Sequence, residues 1–168
     1  MRKLNPDPGI DGEPAPEQPT KNDLMAHAAR LLARREFAVR ELEARLLRKW
    51  AGAEKIQVLV NDVISTLQAD GALSDARFAD SFIRSRRQRF QGPVKIRSEL
   101  RLRQVPDAII EAHLHQAEPD WTELAAQWLS HQHEGRMDFA DRARHYRRLM
   151  GRGFTHQQAM DALALSSN

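Results

Sequence analysis

Proline is spread so unevenly along this chain that it restricts the folds open to it. Five of the eight prolines (Pro6, Pro8, Pro14, Pro16 and Pro19) fall in the first nineteen residues, and none follows until Pro93. Proline breaks a helix interior because it lacks the N–H and collides with the preceding turn. The proline-free stretch is rich in Ala, Leu, Arg and Glu, which lose little on entering a helix, so it reads as helical. No run alternates apolar and polar residues with β-branched enrichment, and no strand is expected. Residues 1–21, with Gly9 and Gly12 among the prolines, cannot bury a core and are expected to form a disordered tail.

Punctuation divides the rest into about nine short helices. Asn22 or Asp23 is expected to cap the first, with Leu24, Ala28, Leu31 and Leu32 on its ridge. The second carries Leu42, Leu46 and Trp50 and stops near Gly52; the third carries Ile56, Leu59, Val60, Val63, Ile64 and Leu67 and ends by Gly71. Ser74 caps a fourth that holds Phe78, Ala79, Phe82 and Ile83, extends toward Phe90 and closes at Gly92. Pro93 suits the first turn of a fifth, with Ile96 and Leu100 buried. Pro106 and Asp107 open a sixth with Ile109, Ile110 and Leu114; Pro119 and Asp120 open a seventh with Leu124, Ala125, Trp128 and Leu129. The eighth runs from about Asp138 to Met150, with Phe139, Ala143, Tyr146 and Leu149 as its ridge, and Thr155 caps a ninth with Ala159 and Leu163.

Helices this short are marginal alone, so each must bury its stripe against neighbours. Three units of three helices are expected, over 22–72, 73–117 and 118–168, in an elongated, all-α tandem array. Arg35–Glu36–Phe37 before the second helix and Arg152–Gly153–Phe154 before the ninth are a weak internal echo.

Several function classes lose their chemistry at once. With no cysteine there is no disulfide, thiol nucleophile or Cys-ligated zinc. Neither a phosphate-binding GxxxxGK[ST] loop nor HExxH occurs, and the pairs His113/His115 and His131/His133 stand two apart, on different sides of a helix. No metal, cofactor or catalytic role is expected. No apolar run approaches the roughly 18 residues of a membrane span and no secretory h-region opens the chain, so a cytoplasmic monomer away from membranes is expected.

Charge is the remaining signal. The net +3 comes from 26 basic and 23 acidic residues, but residues 84–103 concentrate Arg84, Arg86, Arg87, Arg89, Lys95, Arg97, Arg101 and Arg103 against Glu99 alone. Like charges such as Arg97 and Arg101, one turn apart, cost a few tenths of a kcal/mol rather than stabilise. The eight are therefore expected to present positive charge to an anionic partner, either phosphate backbone or an acidic protein surface.

Leu73–Ser74–Asp75–Ala76–Arg77–Phe78–Ala79–Asp80–Ser81–Phe82, Arg86, Gly92–Pro93–Val94–Lys95–Ile96–Arg97–Ser98–Glu99–Leu100 and Val105 through Leu114 resemble the central block of the RecX family, regulators of the RecA recombinase. Arg34–Phe37 through Leu46 is similar to the family's first repeat, and Arg147 through Thr155 to its C-terminal RGF element. The similarity covers about residues 24–165, and Gln104 departs from it where the family often has Gly.

The resemblance implies three tandem three-helix units. It also implies a non-catalytic role in recombination, DNA repair and the SOS response: binding in the groove of the RecA–DNA filament and modulating, usually inhibiting, its ATPase and strand exchange. DNA itself, single- or double-stranded, would be a weaker partner. Asp75, Arg77, Phe78, Phe82, Ile96 and Leu100 would be motif residues with structural roles, although Arg77 is open as a contact. The alternative is a general helical DNA-binding protein that uses the 84–103 segment.

Overall fold

A computed structural model describes residues 18–116, 120–133, 135, 137–138 and 139–166. Most of the expected tail, and Pro119, lie outside them. Among the described residues there are nine helices and no strand: α1 (Lys21–Leu32), α2 (Val39–Lys49), α3 (Ile56–Ala69), α4 (Asp75–Arg87), α5 (Pro93–Leu102), α6 (Asp107–Gln116), α7 (Asp120–Ser130), α8 (Phe139–Arg152) and α9 (His156–Leu165). The main helix contacts stay inside the triplets α1–α3, α4–α6 and α7–α9.

The helix starts follow side-chain chemistry. Thr20, rather than Asn22 or Asp23, caps α1: its hydroxyl accepts from the Asp23 N–H at 3.3 Å, while the Asp23 carboxylate accepts from the Thr20 N–H at 2.8 Å. This reciprocal box satisfies two otherwise orphan donors, and it recurs at Thr155 and Gln158 before α9. Ser74 accepts from the Arg77 N–H at the start of α4, and Asp138 accepts from the Asp141 N–H at the start of α8.

Each triplet encloses one core. Leu24, Leu31, Leu42, Leu46, Trp50, Val60 and Val63 fill the first. Phe78, Ile83, Ile96, Leu100, Ile110 and Leu114 fill the second, and Trp128, Leu129, Leu149, Phe154, Ala159 and Leu163 the third. The cores exchange side chains at their borders. Ala38 and Trp121 pack into the second core from either side, Leu73 packs into the first and Phe90 against the third.

Two ridge residues fall elsewhere than expected. Helix α4 stops at Arg87, and Phe90 turns out of it with φ 54°. That left-handed turn swings its ring into contact with the third core and out of the fourth helix's own stripe. Phe139 is 88% exposed. As the first residue of α8 its side chain tilts toward the helix N-terminus, away from the core that the next turns reach.

Candidate interaction surface

The motif around Ser74 is a joint between the first two units. Ala38, at the N-cap of helix α2, offers no side-chain cap, and the Asp75 carboxylate supplies one from the next unit by accepting from the Val39 N–H at 2.9 Å. Burial pushes the Asp75 pKa up, and the hydrogen bond from Val39 opposes that push. The Arg77 guanidinium holds the Glu36 carboxylate at 3.0 Å and donates to the carbonyls of Gly71 and Ala72. Arg77 therefore clamps the α3–α4 turn to the first unit.

Backbone builds the second joint. The Gly92 N–H donates to the Arg152 carbonyl and the Val94 N–H to the Gly153 carbonyl, both at 2.9 Å, so the N-terminus of α5 closes the C-terminus of α8. Gly153 has φ 90°, and a Cβ there would strike Lys95. A Cβ on Gly92 would strike the backbone of Gly153 and Phe154. The Arg152 guanidinium lies over the Trp128 ring, 4.7 Å from its centroid, and donates to the Arg89 carbonyl at 3.0 Å. Burial lowers its pKa, and the neighbouring Arg148 charge adds to that.

Helices α5 and α8 end alike. The Gln104 N–H donates to the Arg101 carbonyl and the Val105 N–H to that of Leu100; the Gly153 and Phe154 N–H groups repeat this on Met150 and Leu149. This is the Schellman pattern, which places its turning residue in the left-handed region. Gln104 occupies that position with φ 57° where the third unit has Gly153. The structural repeat thus aligns Arg103–Gln104–Val105 with Arg152–Gly153–Phe154. Arg35–Glu36–Phe37, the echo in the sequence, lies between the first two helices of its unit.

The eight predicted cations divide by environment. Arg84 pairs with Asp80 at 2.6 Å, and Arg86, only 18% exposed at its side chain, pairs with Glu99 at 2.9 Å. Arg97 grips both oxygens of Glu111 at 2.6 and 2.8 Å, while Arg101 meets Asp107 at 2.7 Å. The hydrogen bond from Arg97 lowers the Glu111 pKa. Arg103 donates to the Glu99 carbonyl at 2.7 Å, and burial lowers its pKa. Arg86 and Arg103 both lie over the half-buried Phe82 ring, at 4.3 and 4.7 Å from its centroid. Arg87 sits 5.3 Å from the Trp121 ring centroid. Arg89 and Lys95 are exposed, with no acidic partner among the described residues. The partners from α6 are invisible to a count of helical spacing because they approach from another helix.

The remaining motif residues are interior: Phe78 is 4% exposed, and Ile96 and Leu100 are fully buried. An open groove of about 580 Å³ between α4, α6 and α7 is lined by Arg84, Arg87, Gln88, His113, Gln116 and Gln127, among others. Among the described residues no three His, Asp or Glu side chains could share a metal ion. No helix there is long and apolar enough to cross a membrane.

Sequence reasoning missed the charge of α8, which holds Arg142, Arg144, Arg147, Arg148 and Arg152 against Asp141 alone. Acids elsewhere in residues 118–168 offset it in the chain's net charge of +3. A helix-by-helix count would have found it.

A family model for the second three-helix domain of RecX matches residues 74–114, from the Ser74 cap to the last core leucine of α6. The regulatory protein RecX of Chromohalobacter salexigens is 40% identical over 139 residues, covering 82% of this chain and 88% of that protein. The chain belongs to the RecX family. A second RecX, from Halorhodospira halophila, is 41% identical over 140 residues, covering 82% of this chain and 84% of that one. The crystal structure of RecX from Lactobacillus salivarius superposes with a TM-score of 0.72 at 17% identity, across 87% of this chain and 96% of that one, which establishes a shared fold. A RecX chain is thus a regulatory protein, and here the matched domain is held by polar joints at Asp75–Arg77 and at Gly92–Val94.

Proposed function

We propose that this RecX-family chain regulates homologous recombination and DNA repair by binding along the groove of the RecA–DNA filament and inhibiting its ATPase and strand exchange. It does so as a non-catalytic cytoplasmic monomer of three units, 22–72, 73–117 and 118–168. The observation that carries this reading is kinship, at 40% identity over 139 residues, with a protein named as a regulatory protein. The two joints support it, because an array of fixed curvature can meet several filament subunits at once, and many modest contacts then add up to affinity.

The contact surface is proposed to lie on the basic 84–103 segment, led by its exposed members Arg84, Arg89 and Lys95. Arg97 and Arg101 hold α6 in place, so charge reversal there perturbs folding before binding. The same geometry disfavours α5 as a DNA recognition helix. Its arginine ridge faces Glu111 and Asp107, and the Gly92 and Val94 amides at its N-terminus are bonded to the Arg152 and Gly153 carbonyls.

The test adds the protein to RecA, single-stranded DNA and ATP and follows phosphate release. Release should fall at stoichiometric protein; no change would overturn the reading. Tight, steeply salt-dependent binding to naked duplex DNA without filament binding would favour general DNA binding instead.

A further inference from the structure

The two joints repeat one arrangement of helix ends and differ at two side chains. Ala38 and Gly92 are the N-caps of α2 and α5, the second helices of the first and second units. Gln104 and Gly153 are the left-handed residues that end α5 and α8, the second helices of the second and third units. At the second joint the start of α5 meets the end of α8. At the first, the start of α2 meets the end of α5: Arg40, Glu41 and Ala44 line a crevice of about 240 Å³ with Leu102, Arg103 and Gln104. Burial lowers the Arg103 pKa, and Glu41 opposes that from the other side of the crevice.

The second joint is shut, and the first is not. Gly92 and Val94 donate to the Arg152 and Gly153 carbonyls. The matching bonds would run from the Ala38 and Arg40 N–H groups to the Arg103 and Gln104 carbonyls. Among the described residues no backbone hydrogen bond links α2 to α5. Closure of the second joint needs two missing Cβ atoms, since one on Gly92 would strike Gly153 and Phe154 and one on Gly153 would strike Lys95. The first joint carries a Cβ at both places. If α2 closed on α5 in the same register, the Ala38 methyl would strike Gln104 and Val105, and the Gln104 Cβ would strike Glu41. Val39 instead spends its N–H on Asp75, at the position where Pro93 has none.

We infer that Ala38 and Gln104 form a wedge that holds the first joint open while the glycine pair shuts the second, so that these two side chains set the bend between the first and second units. In a tandem array the rotation from one unit to the next shapes the face offered to a partner. Resting on the filament-binding reading above, the wedge sets the angle at which the first unit meets the filament.

The full-length variant Ala38→Gly/Gln104→Gly removes both obstructions. Glycine caps a helix better than alanine and suits the left-handed turn, so the fold should be kept. The joint should then close. The Arg40 amide should exchange at least about tenfold more slowly than in the wild type, because it gains an acceptor. Spin labels placed by Ala44→Cys and Leu102→Cys, both exposed on the crevice in a chain without other thiols, should move closer. Gln104→Gly alone keeps the Ala38 methyl and should leave both readings as in the wild type. Half-maximal inhibition of RecA phosphate release should need about tenfold more of the closed variant.

A folded double variant whose Arg40 amide stays unprotected and whose labels stay apart overturns the wedge. The reverse exchange, Gly92→Ala, installs a Cβ at the second joint, and a Val94 amide that keeps its protection there overturns it too. A closed joint that inhibits within twofold of the wild type overturns the link from the bend to the filament. If the wild type leaves phosphate release unchanged, the filament reading falls, and the exchange and label results still decide the wedge.

Discussion

Three glycines separate two costs that usually come together. Gly71 has φ 67° with open space around its missing Cβ; Gly92 has an ordinary φ of −85° but backbone pressed against it; Gly153 has both a φ of 90° and close contact with Lys95. Alanine at Gly71 meets only the left-handed penalty, about 1 kcal/mol. Alanine at Gly92 must push Gly153 and Phe154 away, which breaks the Gly92–Arg152 and Val94–Gly153 hydrogen bonds. At about 1 kcal/mol for each bond, Gly92→Ala should lose about 2 kcal/mol. Gly153→Ala should lose about 3 kcal/mol, since the strain and the separation of the joint act together.

Amide hydrogen exchange reads this locally. In Gly92→Ala and Gly153→Ala, the Val94 N–H should exchange faster by one to two orders of magnitude, roughly what 2–3 kcal/mol implies, while amides in α1–α3 keep their protection. In Gly71→Ala the pattern reverses, with fast exchange confined to the α3–α4 turn. If Gly153→Ala proves no more damaging than Gly71→Ala, the close approach at Gly153 carries no energy and the joint between the second and third units is not held there.

Gln104→Gly should stabilise the protein by about 0.5–1 kcal/mol in thermal unfolding, because it relieves a left-handed glutamine at the Schellman turn. Asp75→Ala should cost about 1 kcal/mol through loss of the α2 cap, whereas Asp75→Asn keeps an acceptor and avoids burying a charge; at neutral pH it should match or exceed the wild type. His145 is 1% exposed, with both ring nitrogens unbonded, and burial, Arg144, Arg148 and His133 lower its pKa while Asp141 opposes them. Below pH 6.5 the unfolded chain then binds the proton that the folded one refuses, so stability present above pH 6.5 falls as pH drops toward the depressed value. His145→Leu should flatten that slope of up to about 1.4 kcal/mol per pH unit in denaturant titrations run between pH 5 and 7.

What the sequence made legible was local. Helical ridges such as Ile56–Leu67 and stops such as Gly71 depend on residues a turn or two apart, and periodicity reads them directly. The α1 cap was within reach too, since Thr20 and Asp23 have the capping-box spacing, but Asn22 and Asp23 drew the assignment inward. The site was less legible because its contacts join different helices. The partners of Arg97 and Arg101 come from α6, and that of Arg77 lies 41 residues away at Glu36. Phe90 misled for a related reason, since its destination is the core of another unit.

Pairing also changes what the basic segment means. A run of cations in sequence suggests a field that projects outward, but field strength depends on which charges lack an opposite neighbour in space. Arg86 and Arg103 spend their guanidinium groups on Glu99 and the face of Phe82, and Arg97 and Arg101 on the acids of α6. Half of the predicted surface is therefore mortar within the second unit. Arg89 and Lys95 stay exposed without an acidic partner among the described residues.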